Sequence, residues 1–332
     1  MFNYILRRLV IAVFVLFAIA AISFFIIQLP PGDFASTYKQ FLIQTANLTE
    51  DKAEEMTKLV RQQYGLDQPV YIQFFTWIKG IVTEGKFGFS FAYRRDAGEI
   101  ILDRLPKTLM LALLAHFTST AVGLVAGIYT APRQYGWADN ILSFIAFILT
   151  SIPRFFMALV IMYVLVFTFN QHHVTSFFSP EYAVADWSWA KLLDLIKHIW
   201  PVVLIAGLGG VARNMRVMRG NLLDVLNAQF VTTARAKGLE ESKVMNRHAV
   251  PNALHPIIGY QGTVLPYMIQ GELEAAIVMG IPTLGPVLVT ALRSQDIYLS
   301  GGALLVTAAL IVLGNLLADI LLAVLDPRIR YS

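Results

Sequence analysis

Residues 9–29 read LVIAVFVLFAIAAISFFIIQL, a run without a single charged side chain. A helix needs about 20 apolar residues to cross roughly 30 Å of hydrocarbon, so this stretch predicts a membrane span. Arg7 and Arg8 precede it, as in a signal peptide. The run is too long for a signal-peptide core, however, and it ends in Gln28-Leu-Pro-Pro-Gly32 without a small-residue cleavage site. It predicts a retained N-terminal anchor.

The composition of the whole chain indicates a membrane protein. Of 332 residues, 56% are hydrophobic and only 14% are charged, whereas about 25% are charged in an average soluble domain. This disfavours a soluble enzyme. The net charge of +4 gives no reason to expect nucleic acid as a partner. The absence of cysteine excludes disulfides and thiolate metal sites.

Five more apolar runs predict an all-α integral membrane protein with six transmembrane helices. The runs are Thr108–Ala131, Asn140–Phe169, Leu192–Val211, Ile257–Ile281 and Ser300–Leu325. Their expected boundary prolines are Pro132, Pro201, Pro256 and Pro282, since a proline at a helix start loses no needed N–H. The run 192–211 is the weakest, because Lys197 and His198 lie inside it.

The distribution of Lys and Arg predicts that both chain ends are cytoplasmic. With that orientation the cytoplasmic segments hold Arg7, Arg8, Arg133, Arg213, Arg216, Arg219, Arg235, Lys237, Lys243, Arg247, Arg328 and Arg330. The short outer loops hold only Lys191, Lys197 and Arg293. The opposite orientation would place the basic majority outside.

Residues 30–107 differ from the rest of the chain and predict a small extracytoplasmic domain between the first two spans. The segment balances ten basic against ten acidic residues, and its aromatic content favours a folded domain over a disordered one. The aromatic residues are Tyr71, Phe74, Phe75, Trp77, Phe87, Phe89 and Phe91. The chain therefore divides into an anchor (1–29), an outer domain (30–107) and a permease core (108–332).

The sequence gives little support to catalysis or metal binding. Residues 80–87, GIVTEGKF, resemble a phosphate-binding loop, but Phe87 replaces the Ser or Thr that reaches Mg²⁺. His172 and His173 are adjacent and have no further ligand at a useful spacing. We therefore expect no catalytic residue, no metal site and no cofactor bound by this chain.

The predicted cytoplasmic loop 213–256 is the most informative segment. It contains FVTTARAKGLEESKVMNRHAVPNALHP at 230–256. The pattern predicts two short helices broken at Gly238, because glycine commonly ends a helix and Ser242 or a neighbouring acid can start the next one. Ala234 and Ala236 add little bulk beside this turn, so another protein surface could approach closely.

This loop resembles the coupling loop of bacterial ABC importer permeases, specifically the B-type membrane subunit of the dipeptide/oligopeptide (peptide/nickel/oligosaccharide) branch. The resemblance covers nearly the whole chain. Its other motifs are Arg7-Arg8, Leu29-Pro-Pro-Gly-Asp33, Tyr64-Gly-Leu-Asp-Gln-Pro69, Gly85-Lys-Phe-Gly-Phe-Ser90 and Leu325-Asp-Pro-Arg-Ile-Arg330. Two features depart from related patterns. Thr232-Thr233-Ala234 stands where the generic importer motif has Glu-Ala-Ala, as is common in the peptide branch, and Ala276 stands where peptide permeases often carry Glu.

The resemblance implies a type I ABC importer permease fold and a set of partners. These are a homologous second permease, two ATPase subunits that hold ATP and Mg, an extracytoplasmic solute-binding protein and the lipid bilayer. It also implies a coupling helix that contacts an ATPase. The implied contact residues are Thr233, Ala234, Arg235, Ala236, Lys237, Gly238 and Leu239.

Ionisable residues inside predicted spans are candidates for the translocation path. Arg154 could line a water-filled cavity or extend to the outer surface, and it could pair with Glu272 or Glu274. The segment from Gly280 to Pro286 predicts a broken turn, and the resemblance implies that Pro282 and Gly285 belong to an outer gate.

The sequence thus predicts a permease subunit of an ATP-driven importer in the inner membrane of a bacterial or archaeal cell. In this branch the usual cargo is a short peptide. The sequence nevertheless resembles relatives that carry oligosaccharides at residues 28–33, at residues 294–298 and at Ala276. The alternative function is an ion- or proton-coupled carrier or channel that acts without an ATPase.

Overall fold

The computed structural model describes residues 2–325, so residues 326–330 of the C-terminal motif lie outside the described residues. The described chain is mainly helical. Its α-helices are α1 (Phe2–Ile27), α2 (Phe34–Gln44), α3 (Glu50–Tyr64), α4 (Val70–Glu84), α5 (Ala97–Thr130), α6 (Trp137–Ser151), α7 (Arg154–Tyr163), α8 (Pro180–Ala183), α9 (Trp189–Leu226), α10 (Gln229–Ala236), α11 (Glu241–Lys243), α12 (Val250–Met279), α13 (Leu284–Arg293) and α14 (Ile297–Leu325).

Short elements complete the fold. Two-residue strands β1 (Phe89–Ser90) and β2 (Arg95–Asp96) pair antiparallel, with Phe89 opposite Asp96. Single turns of 3₁₀ helix cover Ala131–Arg133 and His172–Thr175, and π-helical turns cover Val164–Thr168 and Val244–Ala249. The side chains of His172 and His173 lie outside the described part of the chain.

Four described helices are long and apolar enough to cross a membrane, and the number is six if each of two broken helix pairs forms one span. The four are Ile5–Ile27, Ala97–Arg133, Trp189–Leu226 and Ile297–Leu317. The pairs are Trp137–Ser151 with Arg154–Thr168, and Pro266–Met279 with Leu284–Arg293. This number is consistent with the predicted six-helix architecture.

The predicted continuous run Asn140–Phe169 is wrong as a single helix. It divides into α6 and α7, which are bent by 101°. Ile152, between them, has an extended backbone, because the residue before a proline is disfavoured in the α conformation. Pro153 then acts as the N-cap of α7. The break leaves Arg154 as the first residue of α7.

Two predicted helix boundaries are also wrong. Pro201 lies inside α9 and Pro256 lies inside α12, so neither proline begins a helix. Helix α9 accordingly extends beyond the predicted Leu192–Val211 at both ends. Helices in membranes tolerate internal proline because neighbouring helices and local adjustments satisfy the freed backbone groups.

The chain forms two compact units. One contains Thr108–Ile281 with short segments from both chain ends, and here α5 and α9 approach closely. A Cβ atom added at Gly123 would lie 2.7 Å from the Val211 carbonyl oxygen, and one at Gly127 would lie 2.7 Å from the Met215 carbonyl oxygen. This G-x-x-x-G spacing lets helix backbones meet without intervening side chains.

A closed hydrogen-bond cycle joins α5, α9 and α12 in the same unit. Thr120 Oγ1 donates to Gln261 Oε1 (2.9 Å), Gln261 Nε2 donates to Asn214 Oδ1 (3.0 Å), and Asn214 Nδ2 donates to Thr120 Oγ1 (3.3 Å). Each side chain therefore both donates and accepts, which suits polar groups held between apolar helices.

The other unit contains Leu6–Lys107 and Pro282–Val312. Its helices α1 and α4 pack through Phe24 and Trp77, whose ring centroids are 5.3 Å apart. The loop before α14 contacts the β1–β2 hairpin, where the fully buried Asp296 accepts hydrogen bonds from Ser90 Oγ (2.7 Å) and the Ala92 amide (3.0 Å). The predicted outer segment thus packs with residues far along the chain.

Candidate functional site

The segment around Gly238 forms a short helix anchored on its own unit. Val231 and Ala234 lie three residues apart on α10, and both are buried. They pack in an apolar cluster with residues from α9, α12 and neighbouring turns. The other buried members of the cluster are Ala131, Met218, Leu222, Val244, Ala249, Ala253 and Ile257. Helix α10 is therefore in contact with the ends of two long helices.

The predicted break at Gly238 is confirmed. Helix α10 ends at Ala236, and Gly238 has a φ of +75°, a left-handed conformation that favours glycine. Across this turn, Arg235 Nη2 and Nε donate to the two carboxylate oxygens of Glu241 at 2.7 and 3.0 Å. These hydrogen bonds lower the pKa of Glu241 and raise the pKa of Arg235.

The outward side of α10 and its turn combines apolar and basic groups. Phe230 is 46% exposed and Leu239 is 39% exposed. Thr233, Ala236 and Lys237 are exposed beside them. The opposite side of α10 is packed in the apolar cluster through Val231 and Ala234. The exposed side is therefore already folded and accessible to another protein surface.

One expectation for this segment is corrected. We expected Ala234 to leave room for an approaching protein, but it is 6% exposed and faces the cluster beneath α10. The reason is helical periodicity, because the side chain three residues after Val231 lies on the same face. Ala236 is the small residue that is exposed on the outward side.

A second feature of this unit is a charge cluster at the break between α6 and α7. The guanidinium carbon of Arg154 lies 3.8 Å from the centroid of the Tyr267 ring. Arg154 Nη1 lies 3.9 Å from Glu274 Oε2. The structure therefore places Glu274 beside Arg154.

The other predicted path and gate residues are Glu272, Pro282 and Gly285. Glu272 is fully buried in α12. In the other compact unit, the Pro282 carbonyl accepts a hydrogen bond from Arg104 Nη1 (3.1 Å), and Gly285 is buried in the first turn of α13. Their role as a gate stays a prediction.

Sequence reasoning missed one strong ion pair. Asp139, 2% exposed at the start of α6, accepts two hydrogen bonds of 2.6 Å from Arg219 on α9. It also accepts a hydrogen bond from the Tyr135 amide (2.9 Å). An acidic residue in the first turn of an apolar helix was the available signal, but nothing in the sequence named its partner 80 residues away.

Comparison with known proteins agrees with this arrangement. Residues 123–331 match the family model described as binding-protein-dependent transport system inner membrane component, and residues 1–112 match the corresponding N-terminal model. The oligopeptide transport system permease protein AppB of Bacillus subtilis (strain 168) is 31% identical, with 99% of each chain covered.

Other relatives are also similar over nearly their whole length. A putative peptide permease protein of Brucella ovis is 30% identical over 100% of both chains. The dipeptide transport system permease protein DppB of Lactococcus lactis subsp. cremoris is 29% identical over 99% of this chain and 100% of its own. The chain therefore belongs to the binding-protein-dependent transport system inner membrane components, as a multi-pass permease subunit of an ABC importer of the cell membrane.

Proposed function

We propose that this subunit imports short peptides, driven by ATP hydrolysis in partner subunits. The observation that carries the ATP-driven part of the proposal is the anchored helix α10, which presents Phe230, Lys237 and Leu239 outward. The relatives are named as oligopeptide, peptide and dipeptide permeases, which supports this cargo class. An oligosaccharide is the second candidate, favoured by Ala276 at the position where peptide permeases often carry Glu.

The proposed assembly contains a homologous second permease, two ATPase subunits and an extracytoplasmic binding protein. Both chain ends are cytoplasmic, six spans cross the bilayer, and residues 30–107 face the outside. The concentration of Arg and Lys in the loop 213–256 supports this orientation. Mg²⁺ and ATP would be held by the ATPase subunits.

The packing of α10 suggests how movement is transmitted. Val231 and Ala234 share one apolar cluster with Met218 and Leu222 of α9 and with Ile257 of α12. Closely packed side chains respond to displacement as a unit. Closure of the ATPase pair against α10 would therefore shift the cytoplasmic ends of α9 and α12, and with them access to the cargo path.

Two alanines on α10 allow a matched test. We expect Ala236→Trp, on the exposed side, to abolish uptake in the reconstituted importer while ATP hydrolysis continues and thermal stability is unchanged. Ala234→Trp should lower the melting temperature as well, because the indole must displace the apolar cluster. Ala190→Trp, exposed near the start of α9, is the control and should transport normally.

Gly238→Pro tests the turn itself. Proline fixes φ near −65°, whereas Gly238 requires +75°, so the turn cannot form unchanged. Uptake should fall while the protein still inserts. Normal uptake by both Gly238→Pro and Ala236→Trp would contradict the assignment of α10 as the coupling helix.

Cargo and energy source need a separate measurement. Vesicles containing the complete importer and its binding protein should accumulate a labelled dipeptide or tripeptide only with internal ATP. Accumulation of an oligosaccharide instead would reject the peptide assignment. Transport by this chain without any ATPase would support the alternative carrier or channel.

A further inference from the structure

Arg154 occupies a costly position that a lipid-facing or purely structural role does not explain well. It lies in an apolar segment at the break between α6 and α7, and its side chain is only 13% exposed. Placing an arginine at membrane depth costs at least about 2.5–3.5 kcal/mol when it faces lipid. Backbone breaks at this depth are tolerated where they face protein or a water-filled cavity.

The partners of Arg154 hold its charge loosely. The distance of 3.9 Å from Arg154 Nη1 to Glu274 Oε2 exceeds hydrogen-bond range, so the two groups form an ion pair without a hydrogen bond. The Tyr267 ring covers one face of the guanidinium at 3.8 Å, and this cation–π contact leaves the N–H edges available. Those edges form the planar fork that binds a carboxylate with two hydrogen bonds.

Two glycines make the space in which this pair of side chains lies. A Cβ atom at Gly271 would lie 2.9 Å from Arg154 Nη1, and a Cβ atom at Gly209 would lie 2.9 Å from the Tyr267 hydroxyl oxygen. Any larger residue at either position would push the guanidinium or the phenol out of place. The site is therefore shaped by α7, α9 and α12 together.

There is room beside the guanidinium for a small group. A cavity of about 70 Å³ is lined by Thr150, Arg154, Gly209 and Tyr267, among others. Arg213 adds a second positive charge 5.8 Å from the Tyr267 ring centroid. The cavity is thus lined by a guanidinium, the group that binds a carboxylate through two parallel hydrogen bonds.

We propose that Arg154, stacked on Tyr267, binds the C-terminal carboxylate of a peptide during its passage, and that Glu274 is the counter-ion that the cargo displaces. This inference rests on the proposed peptide cargo. When the cargo carboxylate arrives, the Arg154 fork exchanges a 3.9 Å ion pair for direct hydrogen bonds. When the cargo leaves, Glu274 again balances the buried charge.

The test compares a free-acid dipeptide with the same dipeptide carrying a C-terminal amide. Both are supplied to the complete reconstituted importer at concentrations that give equal occupancy of the binding protein. The measured quantity is the ratio of acid uptake to amide uptake in each variant, divided by the same ratio in the wild type. Discrimination by the binding protein cancels in this double ratio.

We expect Arg154→Gln to lower the ratio about tenfold, the effect of losing one charge-assisted hydrogen bond. Arg154→Lys should lower it less, because the charge remains and the fork is lost. Gly271→Ala should also lower it, since the new methyl group displaces the guanidinium without changing any charge. Glu274→Gln should keep or raise the ratio, because it removes the competing carboxylate.

Arg133→Gln is the matched control. Arg133 also stacks on a tyrosine, with its guanidinium carbon 4.1 Å from the Tyr129 ring centroid, but it lies in the 3₁₀ turn before α6, at the opposite end of that helix from the break. Its acid-to-amide ratio should equal that of the wild type. This control separates loss of the Arg154 site from a general effect of removing an arginine.

The outcomes separate the two proposals. If Arg154→Gln and Gly271→Ala reduce acid and amide uptake equally, Arg154 has a structural role and the carboxylate site is rejected, while peptide import stands. If the wild type imports neither dipeptide but does import an oligosaccharide, the proposed cargo fails first, and the carboxylate site fails with it.

Discussion

The two ends of α6 carry arginine–carboxylate pairs of very different geometry. At its start, Asp139 receives two hydrogen bonds of 2.6 Å from Arg219 and a third bond from the Tyr135 amide. Just after its end, Arg154 Nη1 and Glu274 Oε2 are 3.9 Å apart, beyond hydrogen-bond range, and the guanidinium stacks on the Tyr267 ring. The first pair is closed on itself, and the second is open to another acceptor.

The contrast shows how the same residue types serve stability or ligand exchange. A buried ion pair is retained at low cost only when the remaining lone pairs and protons are satisfied. Asp139 and Arg219 meet that condition, so opening the pair would expose an uncompensated charge. Arg154 and Glu274 make no hydrogen bond to each other, so separating them costs less interaction energy. A site that binds and releases cargo requires such a weak internal pair.

Replacing Asp139 should have the largest effect on stability. Asp139→Ala leaves Arg219 without its carboxylate, and we expect a loss of about 3 kcal/mol, because removing one partner of a buried pair is strongly destabilising. The melting temperature of the purified importer should fall clearly. Arg154→Gln should lower it by much less, and equal losses in the two variants would erase the distinction between the pairs.

The Asp33–Arg61 pair lies outside the predicted spans. It tests whether close hydrogen bonds stabilise the fold where the pair is only partly buried. Asp33 accepts from Arg61 Nε at 2.8 Å and from the Ser36 amide at 2.8 Å. Burial by itself raises the pKa of Asp33, but the hydrogen bonds from Arg61 and Ser36 outweigh it and lower the pKa from 3.8 to about 2. The folded state therefore prefers the ionised carboxyl.

The corresponding prediction is a loss of stability in acid. Because the pKa is lower in the folded state, the contribution is complete above about pH 4 and disappears as the pH falls through 2. The shift sets an upper limit of about 2.4 kcal/mol, and solvent screening of this partly exposed pair lowers the contribution below that limit. Melting curves of the wild type and Asp33→Asn should converge between pH 4 and pH 2. A constant gap across that range would contradict the prediction.

Several parts of this arrangement were predictable from sequence, and others required the fold. The glycine at 238 marked the end of α10 because its conformational freedom is a local property. The bend at Ile152 was predictable from Pro153 but was missed, since proline inside a membrane helix has two outcomes: Pro201 is accommodated within α9, whereas Pro153 ends a helix.

Which side chains contact each other could not be predicted from the sequence. Glu272 and Glu274 are two residues apart on α12 and so point to different faces. Only the packing of α7 against α12 decides which of them meets Arg154. The same holds for Tyr267 and for the space left by Gly209 and Gly271, because a close approach depends on three helices that are distant along the chain.

The smallest stability effect is expected for the exposed pair at the coupling turn. Arg235 and Glu241 make two hydrogen bonds of 3.0 and 2.7 Å, yet their side chains are 43% and 59% exposed. Water competes for such contacts, and exposed pairs contribute little to folding.

Glu241→Gln should leave the melting temperature unchanged while altering the ratio of ATP hydrolysed to cargo imported, because Arg235 is released beside the coupling face. Glu84→Gln, at another exposed ion pair (Lys86 Nζ to Glu84 Oε2, 3.0 Å), is the control and should change neither quantity. A clear drop in melting temperature for Glu241→Gln would show that hydrogen-bond geometry contributes more to folding stability than solvent exposure removes. Burial of the Asp139–Arg219 pair would then not explain its larger expected contribution.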